Sequence, residues 1–311
     1  MATKPTINGM DAPGGAHPRL PSPSAMVLSD YWALTKPEVN TLIAVATFTG
    51  FYLGYSGTLG GFPFWLLVHT LVGTLLVASG TATLNQYLER RFDAQMRRTA
   101  RRPLAAGRLR PESALRFGIV LSVTGGIYLA VAVNALASLL ASVTLASYLF
   151  IYTPLKRKTP LCTLAGAFPG AMPPLIGWAA ATGRLSLGAW ILYAMLFLWQ
   201  FPHFMSIAWI YREDYARAGY LVLPLDERKT QFVILGSVLP LLLLLPCSIA
   251  PTLLCRSGLT YAIVALVLST AFLYCGVQLA LDRTNAVAKR LLFASIMYVP
   301  LAFVLMMIAK S

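Results

Sequence analysis

The chain has 311 residues, of which 57% are hydrophobic and only 12% charged; its mean hydropathy is +0.68 and its net charge +14. That balance belongs to polytopic membrane proteins and excludes an ordinary soluble enzyme or a disordered chain. The basic residues stand in short loops between apolar runs, where they act as topology signals, so the positive charge does not imply a nucleic-acid partner.

Residues 1–30 are rich in Pro, Gly, Ala and Ser, lack an apolar h-region and carry too few arginines for a transit peptide. They read as a flexible cytoplasmic tail, with residues 31–311 forming one all-α membrane domain in a bacterial inner membrane. Runs long enough to cross a bilayer are expected at 39–55, 62–88, 114–133, 135–152, 161–181, 187–211, 232–250, 258–280 and 291–308, which makes nine transmembrane helices. Basic residues crowd the loops after the second, fourth, sixth and eighth runs, whereas Arg184 and Arg256 are nearly alone in the others. The positive-inside rule therefore places the N-terminus and the ends of the even-numbered helices in the cytoplasm. The fifth run holds Gly166, Pro169, Gly170, Pro173, Pro174 and Gly177. It reads as a kinked packing helix or the bent wall of an intramembrane cavity, and the two are compatible. Cys162, Cys247, Cys255 and Cys275 show no metal-ligand spacing and read as buried thiols.

Asp and Glu total 11, so each acid beside an apolar run is informative. Asn85, Glu89 and Asp93 follow at i, i+4 and i+8, within about 80° of one another on a helix and roughly 6 Å apart along it. An oxygen-rich stripe of this kind suits Mg²⁺, which is held by one or two carboxylates plus substrate phosphates. Arg97, Arg98, Arg101 and Arg102 follow at once and suit phosphate oxygens. The competing reading is a polar helix end anchored by those same arginines. Asp214 ends the sixth run on the same predicted face of the membrane, eleven residues after His203. His203 itself is either hydrogen-bonded within the bundle or in contact with a buried substrate. Lys36, Lys156 and Lys158 can close on the same phosphate group from other helices, and Tyr215 adjoins Asp214. His69 reads as an interfacial residue near the outer face.

Four stretches resemble the intramembrane prenyltransferases of the UbiA type, and within them the haem-directed group, protohaem IX farnesyltransferases. They are Leu34-Thr-Lys-Pro37, Asn85 through Leu104, Tyr152-Thr-Pro-Leu-Lys-Arg-Lys-Thr159 running on to Trp178, and Trp199-Gln-Phe-Pro-His203-Phe ending in Arg212-Glu-Asp214-Tyr-Ala-Arg-Ala-Gly219. The likeness covers about Trp32 to Pro300. Three positions depart from the usual pattern: Glu89 replaces the commoner Asp, Ala218 stands where many relatives carry a second acid, and Glu38 stands where many carry a basic residue.

The resemblance implies nine helices around a central cavity open to the cytoplasm. It implies transfer of the farnesyl group of farnesyl diphosphate to a vinyl group of haem b with addition of water, giving haem O and diphosphate. Mg²⁺ would be held by Asn85, Glu89, Asp93 and Asp214, and the basic residues, His203 and Tyr215 would contact substrate. Haem A synthase is the implied recipient of the product. The alternatives are a prenyltransferase for a quinone precursor or a chlorophyll-type acceptor, which would lack the Tyr152–Trp178 block, and a secondary transporter, which would show inverted repeats and midplane charges.

Overall fold

The structure is a computed structural model and describes residues 23–224, 228–254 and 258–310. Residues 1–22 of the expected tail, and Cys255, lie outside these. The expected boundary at residue 30 falls inside the first helix, α1 (Pro23–Leu34), which is not among the predicted spans.

The described residues form helices without a strand. After α1 come α2 (Pro37–Gly54), α3 (Phe64–Asp93), α4 (Pro111–Ala132) and α5 (Ala135–Ala146). The α5 helix continues through a π-helical turn (Ser147–Tyr152) into the single turn α6 (Thr153–Leu155). Then follow α7 (Cys162–Gly170), α8 (Met172–Thr182), α9 (Leu187–Ile210), α10 (Arg212–Arg217), α11 (Arg228–Leu254), α12 (Leu259–Leu281) and α13 (Asn285–Lys310). Among the described residues seven helices are long and apolar enough to cross a membrane. The two remaining predicted spans are α2, which is only 18 residues long and carries Glu38 and Asn40, and the α7–α8 pair.

The predicted fifth span is broken at Ala171 because Pro173 and Pro174 have no N–H to donate to the carbonyls of Pro169 and Gly170. Its second half, α8, is buried from Met172 through Gly177. It packs on α2 so closely that a Cβ on Gly177 would stand 1.9 Å from the Thr47 carbonyl oxygen, and one on Gly50 2.0 Å from that of Pro174. The α3–α4 pair uses the same device. A Cβ on Gly125 would meet the Val77 backbone nitrogen at 2.7 Å, and one on Gly80 would meet the Gly118 carbonyl oxygen at 2.8 Å. Small residues matter here because lipid supplies no hydrophobic drive between helices, so close van der Waals contact holds them together.

Helices adjacent in sequence pack in order, and α13 returns to lie against α2, which closes the circuit. The largest apolar core joins α9, α11, α12 and α13 around Leu192, Leu241, Phe272 and Phe303. A second joins α2, α3, α5 and α8 around Phe51, Leu67, Ala141 and Ile176. The outer face of α4 instead exposes Ile119, Val120, Val123, Ile127 and Val131, as a lipid-facing helix does. Several hydroxyls inside the bundle satisfy themselves locally. Thr70, Thr81 and Thr83 each donate to the carbonyl four residues earlier.

The α2–α8 contact yields a stability prediction. Gly177→Ala forces a methyl group against backbone and should cost about 1–3 kcal/mol, read as a lower melting temperature of the detergent-solubilised protein. Gly60→Ala, with open space around its Cβ, should leave melting unchanged.

Candidate active site

Acids gather at the C-terminal end of α3, which is the electrostatically wrong end for them, because the helix dipole already places partial negative charge there. They are also buried: Asn85 is 1% exposed, Glu89 6%, Asp93 2% and Asp214 8%. A buried carboxylate needs a cation or several hydrogen-bond donors, and the fold supplies them from other elements.

Lys156, at the end of α6, donates to both Glu89 oxygens at 2.8 and 3.1 Å, and its ammonium lies 4.5 Å from the Tyr152 ring centroid. Arg102, in the loop after α3, pairs with Asp93 Oδ2 at 2.8 Å, while Thr99 Oγ1 donates to the Asp93 carbonyl. Asp214 accepts from the Arg98 backbone N–H at 3.2 Å and from Arg217 at 3.1 Å. Lys36 donates to Asn85 Oδ1 at 3.2 Å, and the Asn85 amide donates to Thr153 Oγ1 at 3.2 Å. The Tyr215 hydroxyl accepts from the Arg98 guanidinium at 3.2 Å.

Two lysines respond to this crowding in opposite directions. Burial, with Arg102 and Lys156 close by, pushes the Lys36 ammonium down to about 7. Burial also works against Lys156, but the Tyr152 oxygen and the Glu89 carboxylate outweigh it and hold Lys156 above its ordinary value. Lys36 is held by backbone as well as charge. It precedes Pro37, which disfavours the right-handed helical region, and it sits at φ 52°, the one non-glycine positive φ among the described residues. In that conformation its carbonyl accepts from the Val39 and Asn40 N–H groups and starts α2.

Asp214 is tied to the loop that follows the stripe through the Arg98 backbone, and Lys36, Lys156, Arg102 and Tyr215 reach the same region from other elements, without three acids converging on one point among the described residues. Arg97, Arg101 and Lys158 are exposed at the rim, and none of the cluster's ion pairs uses them. A turn at Tyr211 separates α9, which carries His203, from α10, which carries Asp214. His203 is held in the bundle by Ser295 Oγ at 2.8 Å from Nδ1 and is stacked on Trp199 at 4.9 Å between centroids. His69 likewise has a partner, Tyr128, at 2.6 Å.

Sequence reasoning missed Thr153, which orients the Asn85 amide, and Tyr220, which packs beside Phe92 and Tyr215. Thr153 lies inside the Tyr152–Lys156 stretch, so its position was visible but its partner was not. The cavity at this end of the bundle, about 200 Å³, is displaced toward α9 and α10; Tyr215 and Tyr220 line it, but the α3 acids do not.

The donor set fits a hard cation in kind, since its side chains are oxygen ligands in a buried setting. It does not form a closed cage, because no three His, Cys, Asp or Glu side chains converge among the described residues. Such a site fits an ion whose shell is completed by phosphate oxygens. The buried pair makes a prediction independent of any ligand. Lys156→Met should destabilise the protein by about 3–5 kcal/mol by leaving Glu89 buried and unpaired. The Lys156→Met, Glu89→Gln double variant should recover much of that loss, read by thermal unfolding in a double-mutant cycle.

The chain resembles known proteins in both sequence and fold. Residues 43–299 fit the model of the UbiA prenyltransferase family. The chain is 48% identical over 294 residues to a Solibacter usitatus protein named "Protoheme IX farnesyltransferase", covering 91% of this chain and 99% of that one. A Koribacter versatilis protein of the same name is 42% identical, covering 92% and 95%. Two solved structures share the fold. A digeranylgeranylglyceryl phosphate synthase superposes with a TM-score of 0.75 at 15% identity, covering 91% of this chain and 98% of that one. A UbiA homologue from Archaeoglobus fulgidus, bound to GPP and Mg²⁺, superposes with a TM-score of 0.64 at 13% identity, covering 89% and 99%. The chain belongs to the UbiA prenyltransferase family.

Proposed function

We infer that this chain transfers the farnesyl group of farnesyl diphosphate to a vinyl group of haem b, with water added, releasing haem O and diphosphate. The observation that carries the reading is near-full-length identity of 48% to a relative bearing the protohaem farnesyltransferase name. The cluster of buried acids matched by cations supplies the chemistry, because a diphosphate leaving group needs that density of positive charge.

Asn85, Glu89, Asp93 and Asp214 would hold Mg²⁺, which adds positive charge to the diphosphate when bound. Each of these residues is engaged by a protein donor: Lys36, Lys156, Arg102, or Arg217 with the Arg98 backbone. Those cations are the natural partners of phosphate oxygens. When diphosphate enters, Lys36, Lys156 and Arg102 turn from the acids to the substrate, freeing carboxylate and amide oxygens in the same movement. As the carbon–oxygen bond to the farnesyl group breaks, negative charge grows on the diphosphate, and the ammonium and guanidinium groups stabilise it. The allylic cation left behind is attacked by the electron-rich vinyl carbon, and water captures the resulting cation as a hydroxyl. The apolar helices around the site keep other water away until then.

Asp93→Ala should abolish haem O formation while the protein still inserts, because α3 keeps its packing on α4 when the final side chain of the helix is shortened. Haem O extracted from membranes with matched protein levels checks this, and chelation of divalent cations in the same membranes should have the same effect. Near-normal product in either case would remove the metal role from the α3 stripe.

The multi-pass arrangement is read with the acid cluster on the cytoplasmic side of a bacterial inner membrane. Reporter fusions after residues near 105, 157 and 222 should report cytoplasm, and those near 58, 134 and 184 should report periplasm. One inverted pair would overturn this orientation.

A further inference from the structure

Tyr220 stands at the edge of the acid cluster with its hydroxyl unused. The residue is 4% exposed, and its oxygen is buried with no hydrogen-bond partner. Its position is built rather than incidental. Gly219, at φ 70°, ends α10 in a left-handed turn in which the Tyr220 N–H donates to the Tyr215 carbonyl at 2.9 Å. The next residue, Leu221, then donates its N–H to the Lys156 carbonyl at 2.7 Å, which ties this turn to the element carrying the Glu89 partner. The ring packs between Phe92, 5.9 Å away, and Tyr215, 6.1 Å away, with Glu89 the carboxylate on the phenol's side.

A buried hydroxyl without a partner is unfavourable, and native structures retain few of them without a reason. Glu89 is the carboxylate on that side, and it has lone pairs to spare beyond its two contacts with Lys156, but neither of its oxygens meets the phenol in hydrogen-bond geometry. A tyrosine phenol keeps its proton at neutral pH and so remains a donor. What is missing is an acceptor-rich group entering the cluster, and the class of substrate read above provides one. We propose that Tyr220 is a substrate-binding residue whose hydroxyl donates to an oxygen of the diphosphate when that group occupies the cluster.

The inference rests on the diphosphate part of the proposed function and not on haem, so the test separates the two. Purified full-length wild type and Tyr220→Phe would be titrated calorimetrically with inorganic diphosphate in the presence of Mg²⁺. Loss of one hydrogen bond to a charged group should weaken binding by about tenfold or more. The KM for farnesyl diphosphate should rise similarly while that for haem b stays constant. Melting without ligand should be unchanged or higher, because the hydroxyl has no protein partner to lose. Unchanged diphosphate affinity would overturn the proposal, as would a lower ligand-free melting temperature with both KM values altered, the mark of a structural tyrosine. A wild type that fails to bind diphosphate would also overturn it. A wild type that binds diphosphate but makes no haem O would sink only the haem reading.

Discussion

The ion pair between Lys156 and Glu89 is the contact on which the working end of this molecule depends. A carboxylate at the C-terminal end of a helix, 6% exposed and in the field of its own helix dipole, cannot remain ionised without a cation at hydrogen-bond distance. The same demand repeats at Asp93, met by Arg102, and at Asp214, met by Arg217 and the Arg98 backbone. Because the partners come from the α1–α2 junction, the loop after α3, the end of α6 and α10, charge pairing joins segments far apart in the chain.

Helix packing makes that convergence possible. Glycines let α3 approach α4, and α2 approach α8, to backbone contact, so the acid-bearing helix and the Lys36 junction are carried on a rigid scaffold. The π-helical turn before Thr153 and the break at Ala171 both interrupt regular helix. Each has a consequence for position. The turn delivers Thr153 to Asn85 and Lys156 to Glu89, and the broken α7–α8 segment places α8 against α2. Irregular backbone of this kind is tolerated in a membrane where neighbouring protein, rather than lipid, surrounds it.

The balance of charge suits a polyanion. Acids and cations are matched there, so neither is left bare in a poorly solvated setting, and the cations are of the kinds that pair well with phosphate oxygens. In the proposed reaction, substrate entry would exchange one set of ion pairs for another instead of uncovering charge, which costs less than opening a buried pair to nothing.

Much of this was legible in the residues themselves. Hydropathy and loop charge located the long helices, because a bilayer demands apolar runs of a set length whatever the neighbours do. The i, i+4, i+8 spacing of Asn85, Glu89 and Asp93 declared a shared face, because helix geometry is local. Other features are non-local and could not be read that way. Which arginine reaches Asp93, why Arg97, Arg101 and Lys158 stay at the rim, and how Thr153 turns Asn85 all depend on where separate helices meet. The partner of His203, Ser295, lies 92 residues further along the chain, a pairing that periodicity cannot register. The sequence by itself determined the membrane class, the helices and the set of chemical groups; only tertiary structure decided their pairing, because buried charges select partners by distance in space and not by separation along the chain.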